Sequence, residues 1–210
     1  MDSSRRTAGF GLLAFGIGTP LAFIGIGAPG GDYSDHAVAS FVASGHWPVA
    51  FALAYLGAFA SLGLLPFARR MRHELGTAGE VFWGLSVAGT AAGVIGWFML
   101  GGVVVAVAEG GDTVAALPHP VFYLAGEIGV LIAICASAFL VGVAALMLGV
   151  KAALPTPLRV LSWVGGVSGI LAAFYFPLPL FFLWAIVVGG WAIASPSRAT
   201  APVAREVQPV

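Results

Sequence analysis

Long apolar runs make up most of the chain, and short polar, glycine-rich or proline-rich segments separate them. A helix needs about 20 apolar residues to cross a hydrocarbon core roughly 30 Å thick, and such runs recur from residue 7 to residue 194. We therefore predict an all-α protein in which residues 1–194 form a single polytopic transmembrane bundle. The six predicted spans are residues 7–28, 47–68, 80–108, 121–150, 160–176 and 177–194.

The first apolar run resembles a signal peptide in one respect, because Arg5 and Arg6 precede it. It is about 22 residues long, however, whereas the apolar part of a signal peptide has about 7 to 15. It also ends at Pro29 and two glycines rather than at a small-residue cleavage site. We expect this run to be retained as a span.

The last apolar segment, residues 160–194, is too long for one span, since a single helix of this length would measure about 52 Å. Pro177 and Pro179 interrupt it. A turn at residues 176–179 would divide it into two short spans and would place the aromatic run 174–176 at the membrane interface. We predict this division.

The distribution of charge predicts the orientation of the bundle. Six spans place all nine basic residues on one side, whereas five spans would move Arg198 and Arg205 to the other side. The nine are Arg5, Arg6, Arg69, Arg70, Arg72, Lys151, Arg159, Arg198 and Arg205. Because basic loops stay in the cytoplasm, we predict that both termini are cytoplasmic. Residues 195–210 are rich in proline, alanine and serine and are predicted to form a disordered cytoplasmic tail.

Composition excludes several classes of protein. Hydrophobic residues make up 60% of the chain and charged residues 9%, whereas a soluble domain has about a quarter charged residues. Nine basic residues balance nine acidic ones, and no basic cluster alternates with aromatic residues, so no nucleic-acid partner is expected. The single cysteine, Cys135, excludes an intrachain disulfide and a cysteine-based metal cluster.

Glu127 is the one ionisable residue that lies clearly inside a predicted span, and such residues are functional candidates because burying charge in a membrane is costly. Counting about 1.5 Å per residue from the outer boundary, Glu127 lies about 9 Å deep. Tyr55, Trp97 and Trp184 lie roughly 10 to 17 Å deep by the same count. This shared depth suggests a pocket with Glu127 as the acid and the three aromatic residues as the substrate-binding groups.

A second interpretation of the common depth of these four residues stays open. Six packed helices need bulky residues in their interior, and a buried indole N–H can donate to a backbone carbonyl or to Glu127. Under that interpretation, the aromatic residues fill the bundle and their common depth is a coincidence.

The predicted outer loops carry four further polar candidates, which are Asp32, Asp35, His36 and His119. Carboxylates and imidazoles bind divalent metals, but these residues lack the compact spacing of known metal motifs. We expect a solvated acidic rim there, with neither a metal site nor a cofactor. Residues 34–42 form either a short interfacial helix or an ordered loop.

Two pairs of glycines lie four residues apart within predicted spans, Gly89 with Gly93 and Gly165 with Gly169. Small residues at this spacing let two helix backbones approach closely in a membrane. We expect packing within the chain, with packing between chains as the alternative.

Three segments resemble a known group of proteins. They are the loop at residues 32–41 (DYSDHAVASF), the Arg69-Arg70 pair that closes the second span, and residues 181–186 (FFLWAI) in the last hairpin. Together they resemble small, uncharacterised multipass membrane proteins common in high-GC Gram-positive bacteria. The resemblance covers residues 7–194, implies a multipass protein of the bacterial cytoplasmic membrane, and brings no catalytic residues with it.

Three functions are compatible with the sequence. The first is a structural or accessory bundle whose partners are the lipid bilayer and either another membrane protein or a second copy of the chain. The second is an intramembrane enzyme in which Glu127 gives a proton to an apolar, isoprenoid-like or lipid substrate, with aromatic ring faces stabilising positive charge. The third, a small-solute transporter, needs a polar path that the cytoplasmic halves of the spans do not offer.

Overall fold

The computed structural model describes residues 3–26, 47–109 and 118–195. Predictions about the outer loop between the first two spans, including its interfacial helix, lie outside the described residues, and so do those about residues 196–210. Within the described ranges every regular element is helical, which confirms the predicted helical bundle.

Eight α-helices, one π-helical segment and one short 3₁₀ helix make up the described chain. In order they are α1 (Ser3–Ile26), α2 (Trp47–Leu62), α3 (Leu64–Glu74), α4 (Thr77–Glu109), α5 (His119–Val130), the π segment (Leu131–Ala136), α6 (Ser137–Lys151), α7 (Thr156–Ile170), the 3₁₀ helix (Ala172–Phe174) and α8 (Leu178–Ala194).

These elements form six segments that run in alternating directions through the bundle, since α2 continues into α3 and α5 continues through the π segment into α6. Each segment packs against the next one along the chain, and α8 packs back against α1, so the segments close into a ring. In the described part of the chain four segments are long and apolar enough to cross a membrane. The other two, α7 and α8, have 15 and 17 residues.

The two ends of the bundle differ in charge. One end, called the basic end below, holds the start of α1, the end of α3 and the end of α6, with the arginines of residues 5–6 and 69–72 and Lys151. The opposite end holds the end of α4, the start of α5 and the turn between α7 and α8.

The regular helical hydrogen bonding of the second segment is interrupted at Gly63, between α2 and α3, where the Gly63 N–H donates to the Ala60 carbonyl oxygen. Pro66 explains the interruption, because proline has no N–H to donate to the carbonyl of Leu62 and its ring collides with that carbonyl. A methyl group on Gly63 would also overlap the Gly11 carbonyl of α1. The helix then continues through the basic residues to Glu74, beyond the predicted span end at residue 68, because charged side chains leave the membrane without ending a helix.

Both predicted glycine pairs pack within the chain. Gly89 of α4 lies against Val141 and Ser137 of α6, whereas Gly93 lies closest to Ser61 of α2. Gly165 of α7 lies against Trp184 of α8, and Gly169 lies against the backbone of α6. These close contacts are where neighbouring backbones meet in the ring.

The last apolar segment is divided as predicted, but the turn lies at residues 171–177, several residues before the predicted 176–179. The helix α7 ends at Ile170, a 3₁₀ turn follows, and α8 begins at Leu178 with Pro177 as its N-cap residue. Proline is favoured at the start of a helix because its missing N–H would be unpaired there. The last two segments therefore form an antiparallel hairpin.

Candidate functional site

Glu127 lies in α5, near the opposite end of the bundle, and its side chain is half-buried. Two other side chains interact with one another and with its carboxyl group: the phenol of Tyr175 and the thiol of Cys135. We call these three residues the Glu127 cluster. They come from two segments, the one that contains α5 and the turn that joins α7 to α8.

The π segment determines which face of its helix Cys135 occupies. In a regular α-helix, residues eight positions apart are about 80° apart around the axis. The extra residue that a π turn accommodates removes about 100° of this rotation, which brings Cys135 to the same side as Glu127. The Cys135 thiol donates a hydrogen bond to the Ala172 carbonyl oxygen 3.4 Å away, so it also joins this helix to the turn.

Tyr175 has a rare backbone conformation, with φ 59° and ψ −45°. The N–H of Phe176 donates to the Phe174 carbonyl oxygen at 2.6 Å, which closes a γ-turn around Tyr175. Such a conformation costs a residue with a side chain on the order of 1–3 kcal/mol and persists only when the surrounding structure enforces it. Here it turns the Tyr175 ring into the core of the bundle, where the ring packs against buried apolar residues.

The hydroxyl group of Tyr175 is buried and has no hydrogen-bond partner among the described residues. It interacts with both the Glu127 carboxyl group and the Cys135 thiol, but it forms no hydrogen bond of regular geometry with either of them. A buried polar group without a partner costs about 1–3 kcal/mol. The cluster therefore has one unused, well-placed hydrogen-bond donor.

The three side chains differ in what they can do chemically. A carboxyl group donates or accepts a proton, a phenol donates and accepts hydrogen bonds, and a thiol is a weak donor. A ligand oxygen placed between Glu127 and Tyr175 would accept a hydrogen bond from each. The cluster can therefore bind and polarise a polar group that reaches it from the membrane.

The predicted pocket aromatics lie in three different environments. Trp97 is fully buried against Gly57 of α2, and its indole N–H has no partner among the described residues. Trp184 is also buried, stacks on Phe181 with 5.7 Å between ring centres, and donates a hydrogen bond to a serine of α7.

Tyr55 is 39% exposed and packs edge to face against Phe51 and Phe98. None of these contacts joins Tyr55, Trp97 or Trp184 to Glu127, so the shared pocket stays a prediction. The contacts of Trp97 and Trp184 are those of packing residues. Their role in substrate binding stays a prediction.

The outer-loop candidates are mostly beyond the described part of the chain. Asp32, Asp35 and His36 lie outside it, and for His119, in the first turn of α5, only the backbone is described. Among the described residues no three histidine, cysteine or carboxylate side chains are grouped to hold a metal ion.

Sequence reasoning assigned Cys135 and Tyr175 no place beside Glu127. Cys135 entered only as a lone cysteine and Tyr175 only as part of an interfacial aromatic run. The π turn and the positive φ that bring them to Glu127 have no signature in the local pattern of apolar residues, which is compatible with a regular helix from residue 121 to residue 150.

No family model, no curated protein and no solved structure matches this chain. The resemblance to uncharacterised multipass proteins of Gram-positive bacteria therefore stays a prediction.

Proposed function

We propose that this protein binds the polar end of an apolar, lipid-like molecule at the Glu127 cluster, with Glu127 as the proton donor. The unpartnered, buried hydroxyl of Tyr175 is the observation that carries the proposal. The fold holds that hydroxyl in place through a strained turn and gives it no partner of its own. A ligand oxygen that accepts its hydrogen bond removes the cost of leaving it unpaired.

The surroundings of the cluster favour an apolar ligand. Residues next to it in the chain expose large apolar side chains on the surface of the bundle, including Leu131, Leu171, Phe174 and Phe176. A molecule that reaches Glu127 past these side chains has to be apolar along most of its length. Glu127 and Tyr175 then favour a ligand whose polar end carries an oxygen atom, such as an alcohol or a carbonyl.

The proposed chemistry is simple proton donation. A protonated Glu127 hydrogen-bonds the ligand oxygen and, if a reaction follows, transfers its proton to the substrate as a general acid, leaving a carboxylate. Tyr175 orients the same oxygen. We place the protein in a bacterial cytoplasmic membrane with its basic end in the cytoplasm, because basic residues favour that side. The cluster then lies within the outer half of the bilayer.

The test is photochemical crosslinking with a long-chain fatty alcohol that carries a diazirine beside its hydroxyl-bearing carbon and an alkyne at its far end. The purified full-length protein is reconstituted in vesicles with this probe, irradiated and digested, and the labelled peptides are identified by mass spectrometry. We expect labelling to concentrate on peptides that contain Glu127 or Tyr175. Competition by unlabelled fatty alcohol shows that the site saturates.

Two variants make the test specific. Tyr175→Phe keeps the ring and removes the hydroxyl, so it is expected to fold at least as stably as the parent while losing most of the labelling. Tyr55→Phe is the matched control, because Tyr55 lies at a similar predicted depth and uses its ring alone in the contacts described. Equal labelling of the parent and Tyr175→Phe would refute the proposed site. Glu127→Gln keeps a hydrogen-bond donor at this position but cannot transfer a proton. This variant is therefore expected to retain binding and to lose any reaction that depends on proton transfer.

A structural or accessory role is the second candidate function. The complete burial of Trp97 and Trp184 favours it, because both large aromatic residues are used in packing. Under this proposal the protein copurifies with another membrane protein after mild solubilisation, and Tyr175→Phe leaves that association unchanged. Reproducible isolation of the chain alone in several detergents would count against it.

A further inference from the structure

A half-open groove of about 710 Å³ lies at the basic end of the bundle, between the first turn of α1, helix α3 and the start of α4. We call it the basic groove. Its polar side chains are Ser3, Ser4, Thr7, Arg69, Arg70 and His73, and its apolar ones are Leu65, Pro66 and Trp83. This volume is within the range of small-molecule sites, about 300–1,000 Å³.

The charge of the basic groove is positive. Arg70 pairs with Glu74 at 2.7 Å, so part of its charge is already balanced. Glu80, the next acidic residue along the chain, pairs with Arg72 outside the lining of the groove. Arg69 is exposed and forms no ion pair with a described residue. A net positive charge therefore faces the groove from Arg69, with His73 one turn further along the same helix.

The first turn of α1 adds to this charge. It contributes two serines and contains no acidic residue. The N–H groups in the first turn of a helix lack partners within the helix and, together with the helix dipole, attract anions. The arginine, the hydroxyl groups and the start of the helix therefore favour the same kind of ligand, which is an anion with several oxygen atoms.

The apolar lining shows what else the ligand carries. Leu65, Pro66 and the half-buried Trp83 form one side of the groove at the level where the helices leave the apolar part of the bundle. Tryptophan is favoured at the headgroup level of a membrane. A phosphate attached to a lipid would place its charge near Arg69 and its glycerol backbone near Trp83.

We propose that the basic groove binds the phosphate headgroup of an anionic phospholipid of the cytoplasmic leaflet. Basic pockets between transmembrane helices on the cytoplasmic side are a recognised kind of site for such headgroups. The groove lies at the end opposite Glu127, and this proposal is independent of the proposed function of the Glu127 cluster.

The test measures lipid binding to the full-length protein in detergent by native mass spectrometry. Dioleoylphosphatidylglycerol is the anionic probe, and dioleoylphosphatidylcholine is the matched lipid without net charge. We expect tighter binding of the anionic lipid to the parent. A basic residue near a headgroup changes affinity by about fivefold, so Arg69→Gln should weaken binding of the anionic lipid by about that factor. Arg69→Lys, which keeps the charge, should retain most of it.

Arg159→Gln is the control for charge alone. Arg159 is exposed in the first turn of α7, at the same end of the bundle but outside the groove lining. Equal weakening by Arg159→Gln and Arg69→Gln would overturn the proposal, because it would show a general surface attraction. Displacement of the lipid by inorganic phosphate in large excess would also overturn it, because the groove would then be a site for a free anion. Arg69 is exposed, so its replacement leaves the folded bundle available for both measurements.

Discussion

The indole N–H of Trp184 donates a hydrogen bond to the hydroxyl oxygen of Ser162, 3.1 Å away, in the fully buried interface between α7 and α8. The Ser162 hydroxyl in turn donates to the Leu158 carbonyl oxygen at 2.8 Å. Both polar groups are satisfied without water or lipid. The contact explains how a tryptophan can lie deep in the bundle with its indole N–H satisfied.

Replacing Ser162 by alanine should lower stability, because it leaves the indole N–H of Trp184 buried without a partner. The expected loss is about 1–3 kcal/mol. Trp184→Phe removes the donor of the same hydrogen bond. In the Trp184→Phe variant, Ser162→Ala should therefore lower the stability much less than it does in the parent. Thermal unfolding of the parent, the two single variants and the double variant in one detergent gives this coupling. Additive losses would show that the hydrogen bond contributes nothing.

Glycine at position 57 is required by the ring of Trp97. A methyl group there would overlap that fully buried ring, so Gly57→Ala is expected to destabilise the bundle by about 1–3 kcal/mol. Gly84→Ala is the matched control in α4, because no atom lies within 4 Å of the added methyl group. It should instead raise stability by up to about 1 kcal/mol through better helix propensity. Melting temperatures in detergent distinguish the two outcomes, and a neutral Gly57→Ala would contradict the packing described for Trp97.

The turn between α7 and α8 should face outwards from the cell if the basic end is cytoplasmic. Phe176 is 79% exposed in that turn, and Ala153 is exposed near the end of α6 at the basic end. In a Cys135→Ala background, Phe176→Cys should react with a membrane-impermeant maleimide in intact cells. Ala153→Cys should react only after the cells are opened. The reverse pattern would invert the predicted orientation.

The ion pair between Arg72 and Glu80 should contribute little to stability. Its nitrogen–oxygen distance is 2.8 Å, but the two side chains are 43% and 61% exposed. Exposed pairs contribute about 0–1 kcal/mol and are screened by salt. Arg72→Gln should therefore shift the unfolding free energy by no more than about 1 kcal/mol, and by less in high salt. A larger loss that persists in high salt would indicate a structural role for Arg72.

Much of the architecture could be predicted from local pattern. The lengths of the apolar runs predicted the helical segments, and the prolines at residues 177 and 179 predicted a turn in the last apolar segment. The glycine pairs gave two of the close contacts between helices. The interruption at Gly63 was not predicted, although Pro66 is a local signal for it, because the run of apolar residues continues through it without a change.

The candidate site was only partly predictable. Glu127 is recognisable because an acidic residue is unusual in an apolar run. Its three predicted aromatic companions were chosen by depth, which follows from position along a helix, whereas contact also depends on how each helix is rotated. Trp184, for example, reaches Ser162 on α7.

The sequence by itself determined that the chain is a membrane-type helical bundle and that Glu127 lies inside one of its helices, because apolar run length and charge placement are properties of local order. Only the tertiary structure decided which groups face Glu127. A π turn rotates Cys135 to its side, and a strained turn in a different segment brings Tyr175. Both depend on packing between segments that are distant in the sequence, which local pattern does not encode.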